Sequence, residues 1–276
     1  MLSATVQDYM ENLSRGDLMK KMTAFYIFAA LFFIVSVAIH ILFAEDPNMI
    51  IYSDAIAFIV AILPVVTSLY VYSYFKKGNP EKTVWLVLCV GLILWLLGEI
   101  LWFYYEALRG VDPFPSLADI AWILGYPSLF VALFLLYRNV EVRVKAYEVA
   151  FGIVVLIIAA AVFLLFGHMI PAEEEFTFLE KAASLFYPVA DLFLLYLALL
   201  ITGLYWAGKL GYSWLLIAVG IILYVVGDLW FAYLEWMELY EEVAWHPVDF
   251  TWIIGDLLVF LGAAKYRISF EEVPKS

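Results

Sequence analysis

Residues 91–106 read GLILWLLGEILWFYYE, and residues 220–235 read GIILYVVGDLWFAYLE. At a constant offset of 129, Gly91 aligns with Gly220, Gly98 with Gly227, Glu99 with Asp228 and Glu106 with Glu235. Both stretches are apolar enough to lie in lipid, where an ionisable side chain is rare and usually functional. An acid repeated at one place in a membrane unit marks a site and leaves its ligand open.

Working outward, apolar runs of about twenty residues recur along the whole chain, the length a bilayer-crossing helix needs. The sequence is 66% hydrophobic, against roughly 45–50% for an average soluble domain. These features predict an all-α integral membrane protein, held in the lipid bilayer by eight spans at about 22–44, 49–75, 83–108, 115–138, 145–168, 178–205, 211–238 and 246–267. Breakers fill the connections: Pro47-Asn48, Gly78-Asn79-Pro80, Pro113-Phe114-Pro115, Pro171, Gly208 and Pro247. The polar segment 1–21 lacks the basic start, apolar core and cleavage site of a signal peptide, so the first span is expected to direct insertion. Cys89 is the single cysteine, which excludes intrachain disulfides and multi-thiolate metal sites. A net charge of −12 argues against nucleic acid and anionic lipid as partners.

Lys and Arg set the direction. Arg15, Lys20, Lys21, Lys76, Lys77, Lys82, Arg138, Arg143, Lys145, Lys209, Lys265, Arg267 and Lys275 all fall on one side, whereas the connections of the other side hold only Arg109. The positive-inside rule then predicts a multi-pass protein of the cell membrane with both termini cytoplasmic. The outer side carries Glu45, Asp46, Asp112, Glu173, Glu174, Glu175, Glu238, Glu241 and Glu242, as solvated loop charge or as a funnel for cations.

The repeat extends past one helix. Asp119, Trp122 and Gly125 match Asp249, Trp252 and Gly255 at an offset of 130, and Tyr52-Ser53-Asp54 parallels Tyr187-Pro188-Val189-Ala190-Asp191. The expected organisation is a cytoplasmic segment 1–21, four-helix repeats at 22–140 and 141–268, and a tail 269–276. An even number of spans per copy makes the copies parallel, related by an axis along the membrane normal, with a site between them.

Helical spacing gathers the polar residues. Trp95, Glu99, Trp102 and Glu106 share a face, as do Tyr224, Asp228, Phe231 and Glu235; Asp119, Trp122 and Tyr126 share another, as do Asp249, Trp252 and Asp256. With Asp54 and Asp191, these acids lie in the outer half of the bilayer. On the translocon scale, Glu99, Asp191, Asp228 and Asp256 together cost about 10 kcal/mol to insert. Protonation, hydrogen bonds from Tyr and Trp, a wet cavity or a bound cation can offset that. Lys181 is the one intramembrane base on that side, so ion pairs cannot satisfy all the acids. The residues expected to line a ligand site are Asp54, Glu99, Trp102, Glu106, Asp119, Trp122, Tyr126, Asp191, Asp228, Glu235, Asp249, Trp252 and Asp256. Carboxylates beside aromatic faces suit an organic cation; the competing reading is protonated acids that fix helix packing. His40, His168 and His246 near the outer ends are the candidates for a divalent metal, as a cofactor or in a lipid hydrolase, and no His-x-x-x-His or Glu-x-x-His pairing supports them. The glycines at 91, 98, 220 and 227 predict close helix approach. Lys265 is expected to snorkel to the interface.

The run Pro113-Phe114-Pro115-Ser116-Leu117-Ala118-Asp119 followed by Gly125-Tyr126-Pro127 resembles the multi-span sensory modules that precede diguanylate cyclases and kinases in bacterial signalling proteins. That resemblance covers one helix pair well. It implies a sensor or ligand-binding membrane module that signals to a cytoplasmic partner, free-standing because no output domain precedes Ser276, with no catalytic residue carried over. The rival function is a secondary transporter or proton-coupled carrier, which parallel repeats and buried acids also fit; the nearly acid-free inner half argues against it.

Overall fold

The computed structural model describes residues 4–111, 113–139, 145–166, 177–205, 211–237, 239–240 and 245–270, with the side chains of 4–19, 165, 166 and 236 excepted. Eight α-helices form among them: α1 Ala4–Leu42, α2 Met49–Tyr74, α3 Pro80–Phe103, α4 Leu117–Arg138, α5 Lys145–Phe166, α6 Phe178–Tyr205, α7 Gly211–Trp236 and α8 Asp249–Ser269. No strand forms among the described residues. Seven of the helices are long and apolar enough to cross a membrane, consistent with a multi-pass membrane protein. The eighth, α8, has 21 residues, about 31 Å of helix. Asp249, Asp256, Lys265 and Arg267 lower its hydropathy, and its neighbours shield it instead of lipid: Ile253, Leu257, Val259, Phe260, Ala263 and Tyr266 are buried.

One boundary differs from the sequence reading: the change at residue 22 is a change of composition within α1, which runs unbroken from Ala4; its apolar part is Lys20–Leu42. The third span reaches Leu108 as expected, with its last turn, Tyr104–Leu108, π-helical. Local chemistry sets other starts. Pro80 opens α3 behind Asn79, whose side chain accepts from the Glu81 N–H, and Ser116 and Asp119 close a reciprocal capping box at α4.

Six helices pack in a closed order: α2 on α3, α3 on α4, α4 on α6, α6 on α7, α7 on α8, and α8 back on α2. Outside this ring, α1 lies on α8 and α2, and α5 lies on α6. The most apolar stretch of α5 buries none of its residues, and Leu156, Ile157 and Phe163 are exposed on it, as expected of a lipid-facing helix.

The α3–α4 and α7–α8 seams are alike in detail. A Cβ on Gly98 would stand 2.3 Å from the Trp122 indole, and one on Gly227 would stand 2.2 Å from Thr251 and 2.7 Å from Trp252. A Cβ on Gly125 would meet Trp95, and one on Gly255 would meet Tyr224. Small residues thus let each helix pair close over a large ring on its partner. Between the pairs, residues 129 apart touch each other: Trp85 meets Trp214 with centroids 5.0 Å apart, and Trp95 meets Tyr224 at 5.2 Å.

Candidate functional site

The acids predicted from the repeat fall into three groups inside or at one end of the ring. At the end where α3 leads to α4 and α7 to α8, Asp119 and Asp249 start their helices in the same way. Asp119 accepts the Ser116 N–H at 2.7 Å through Oδ2 and the Tyr187 hydroxyl at 2.8 Å through Oδ1. Asp249 accepts the His246 N–H at 2.8 Å through Oδ2 and the Tyr240 hydroxyl at 2.9 Å through Oδ1. Both are buried. Every oxygen of the pair is occupied, so the observed work of these two residues is helix capping and tethering. Burial, with Asp249, Glu106 and Asp54 nearby, pushes the Tyr240 hydroxyl well above the usual tyrosine range, so it stays a donor.

The second group sits where the π turn bends. There Glu106 accepts from the Trp102 indole and lies within hydrogen-bonding reach of Asp54 on α2. Asp54 is also within electrostatic reach of Glu99 and Asp249, and its Oδ2 is buried with no hydrogen-bond donor. Glu235, the sequence counterpart of Glu106, is half-buried near the end of α7, which stays α-helical there.

The third group is deepest. Tyr126 of α4 places its hydroxyl 2.7 Å from Asp191 Oδ1 on α6 and 3.1 Å from Asp228 Oδ2 on α7. Asp228 Oδ1 accepts the Trp252 indole N–H at 2.8 Å, and Glu99 lies within hydrogen-bonding reach of the Trp122 indole. These last two pairings are counterparts, Glu99 and Asp228 being 129 apart in the chain and Trp122 and Trp252 130 apart. Asp256 accepts the Tyr224 hydroxyl at 2.5 Å. Glu99 is within electrostatic reach of both Asp256 and Asp228. Asp191 is 1% exposed, and its Oδ2 has no donor. Among the described residues, the groups acting on Glu99, Asp191, Asp228 and Asp256 are carboxyls, tyrosines and tryptophans; no Lys or Arg is among them.

The opposite end is closed by rings. Trp85, Trp214 and Tyr266 pack with centroids 5.0–5.4 Å apart and are buried, and the Tyr266 hydroxyl donates to Glu81 at 2.7 Å. Lys265 lies over the Tyr212 ring, and Arg267 over those of Tyr70 and Tyr74. Both cations belong to this end of the bundle, far along α8 from Asp256.

The imidazoles of His40 and His246 bond to backbone groups and a serine hydroxyl. His40 is fully buried, with Nδ1 2.7 Å from the Ser36 carbonyl and Nε2 3.2 Å from the Ser53 hydroxyl, between the rings of Trp245 and Phe250. His246 accepts the Val248 N–H through Nδ1. His168 lies outside the described residues, as do Asp112, Glu173, Glu174, Glu175, Glu238, Glu241 and Glu242. No group of three metal-ligating side chains converges among the described residues.

Sequence reasoning missed the donors Tyr187, Tyr224 and Tyr240 as site members. Tyr187 and Tyr224 were accessible through the repeat, since they align with Tyr52 and Trp95; Tyr240 lies in a connection with no repeat signal. Compared with family models, curated proteins and solved structures, the chain matches none of the three.

Proposed function

We propose that this chain is a multi-pass protein of the cell membrane that binds a cationic ligand, as a sensor or receptor module, at the carboxyl and aromatic cluster inside its six-helix ring. One observation carries the reading: Asp191 and Asp228 meet at a single tyrosine hydroxyl, with Glu99 and Asp256 nearby and no basic side chain to balance them. Buried negative charge without a protein cation invites a cation from outside. Glu99, Asp228 and Asp256 lie deep in the ring, among the carboxyl, tyrosine and tryptophan side chains of the cluster. The rings of Trp95, Tyr126, Trp122 and Trp252 line the same region and suit an organic cation. The absence of a three-ligand metal group among the described residues also favours an organic ion over a bare metal.

Two parallel four-helix repeats supply the frame. The matched seams, the matched caps at Asp119 and Asp249, and the contacts of Trp85 with Trp214 and Trp95 with Tyr224 support a pseudo-twofold axis between α3 and α7. The basic bias puts both termini in the cytoplasm, so the acids face outward and the Trp85–Trp214–Tyr266 plug faces inward. A plugged inner end favours binding over passage, and with the resemblance to sensory modules it favours a signal relayed to a cytoplasmic partner. The test is a thermal-shift screen of amines, divalent metals and lipids on the purified protein beside Glu99→Gln and Asp228→Asn. Stabilisation by an amine that both variants lose is expected. Equal response of all three proteins to every compound sinks the site.

A further inference from the structure

The deepest group contains a hydrogen-bonding conflict that points to the nature of the ligand. A tyrosine hydroxyl carries one proton, yet Tyr126 is in bonding contact with carboxyl oxygens of both Asp191 and Asp228. At 2.7 Å its proton belongs to Asp191 Oδ1; the 3.1 Å contact to Asp228 Oδ2 is then a bond only if Asp228 donates. Asp191 Oδ2 has no donor, and its carboxyl neighbour is again Asp228, within hydrogen-bonding reach. Two carboxylates, or a carboxylate and a hydroxyl already committed, hold together only with an added proton. The pair therefore carries one acidic proton in this arrangement, placed on Asp228 toward either Tyr126 or Asp191.

We infer that the ligand is an ammonium bearing N–H groups and that it takes the place of this proton. The inference rests on the cation-site reading above and adds the donor requirement and the exchange. Asp191 Oδ2 wants a donor, so a cation with N–H groups satisfies it and a quaternary ammonium does not. The step balances: R–NH3+ meets the Asp191 carboxylate and the Asp228 carboxylic acid, the Asp228 O–H proton leaves to solvent, and the ammonium stays bound between two carboxylates. Charge at the site rises by one unit and falls by one. The groups facing the pair are Tyr126 on α4, Tyr187 on α6, Glu99 on α3, Tyr224 on α7 and Trp252 on α8.

Isothermal titration of methylammonium into the detergent-solubilised protein, run in two buffers of different ionisation enthalpy, reads the exchange directly. One proton released per amine is expected, with affinity rising about tenfold per pH unit while the pair remains protonated in the empty state. Tetramethylammonium, which lacks N–H, is expected to bind at least tenfold more weakly. Asp228→Asn, which keeps the shape and cannot lose the proton, is expected to abolish methylammonium binding and its proton release together; the infrared carbonyl stretch of a protonated carboxyl in the empty protein should weaken in the same variant. Methylammonium binding without proton release, or matched by tetramethylammonium, overturns the exchange and leaves the cation site standing. No binding of either ion overturns both.

Discussion

The hairpins α3–α4 and α7–α8 share most of their parts. Both close a glycine over a tryptophan, both start the second helix on a capping aspartate bound to a tyrosine, and both set an acid on the first helix against an indole on the second. They part at Tyr126 and Asp256, which align at an offset of 130. Tyr126 reaches out of its hairpin to acids on α6 and α7, whereas Asp256 stays inside its own and takes a hydroxyl from Tyr224. The shared parts are scaffold, and the unshared position is where a symmetric frame becomes an asymmetric site. A purely twofold cluster would present two equal half-sites; this one presents a single deep pair at Asp191 and Asp228.

The largest expected effects fall on the shared caps. Asp119→Ala and Asp249→Ala each remove the carboxyl that accepts a backbone N–H at a helix start, worth about 1 kcal/mol, and strand a tyrosine hydroxyl at a cost of roughly 1–3 kcal/mol. Each variant should therefore lose about 2–4 kcal/mol in thermal or denaturant unfolding, and the two losses should agree. A tolerated change on one side alone would break the correspondence. Next come the seams: Gly98→Ala and Gly227→Ala place a methyl against Trp122 and against Thr251 and Trp252, at a cost of roughly 1–3 kcal/mol each for overpacking.

Much of this frame was legible in the chain. Length and hydropathy marked the helices, and the offset of 129 marked both the glycine seams and the acids at Glu99 and Asp228. The shared face of Trp95, Glu99, Trp102 and Glu106 is visible because helical period alone decides it, and all of it converges on Trp122 or on Glu106 itself. Three things were hidden for physical reasons. The π turn at Tyr104–Leu108 has no local sequence signal, and it separates Glu106 from its counterpart Glu235. Hydropathy ranks α8 low because charges count against it, although packing hides it from lipid. Which tyrosine meets which acid depends on helix pairs that are distant in sequence, as with Tyr126 and Asp228, so periodicity could list Asp119 and Asp249 as ligand residues but not reveal that tyrosines and backbone N–H groups had filled them.

The smallest and sharpest effect concerns the unshared position. Tyr126→Phe removes one hydroxyl that serves two carboxyls, and Tyr224→Phe removes one that serves Asp256 alone. If each hydroxyl only balanced hydrogen bonds, both losses would be about 1 kcal/mol and indifferent to pH. The pair at Asp191 and Asp228 changes that expectation. While it holds its proton, Asp228 can donate to Asp191 directly, so loss of the Tyr126 hydroxyl is partly compensated and costs under about 1 kcal/mol. As pH rises and the proton leaves, two carboxylates face each other without a donor between them, and the cost of Tyr126→Phe should grow. Tyr224→Phe has no second acid hydrogen-bonded to the lost hydroxyl and should show a weaker trend. Unfolding of the three proteins measured across pH therefore separates a shared proton from ordinary packing: parallel curves for the two variants would remove the distinction between the hairpins on which the site rests.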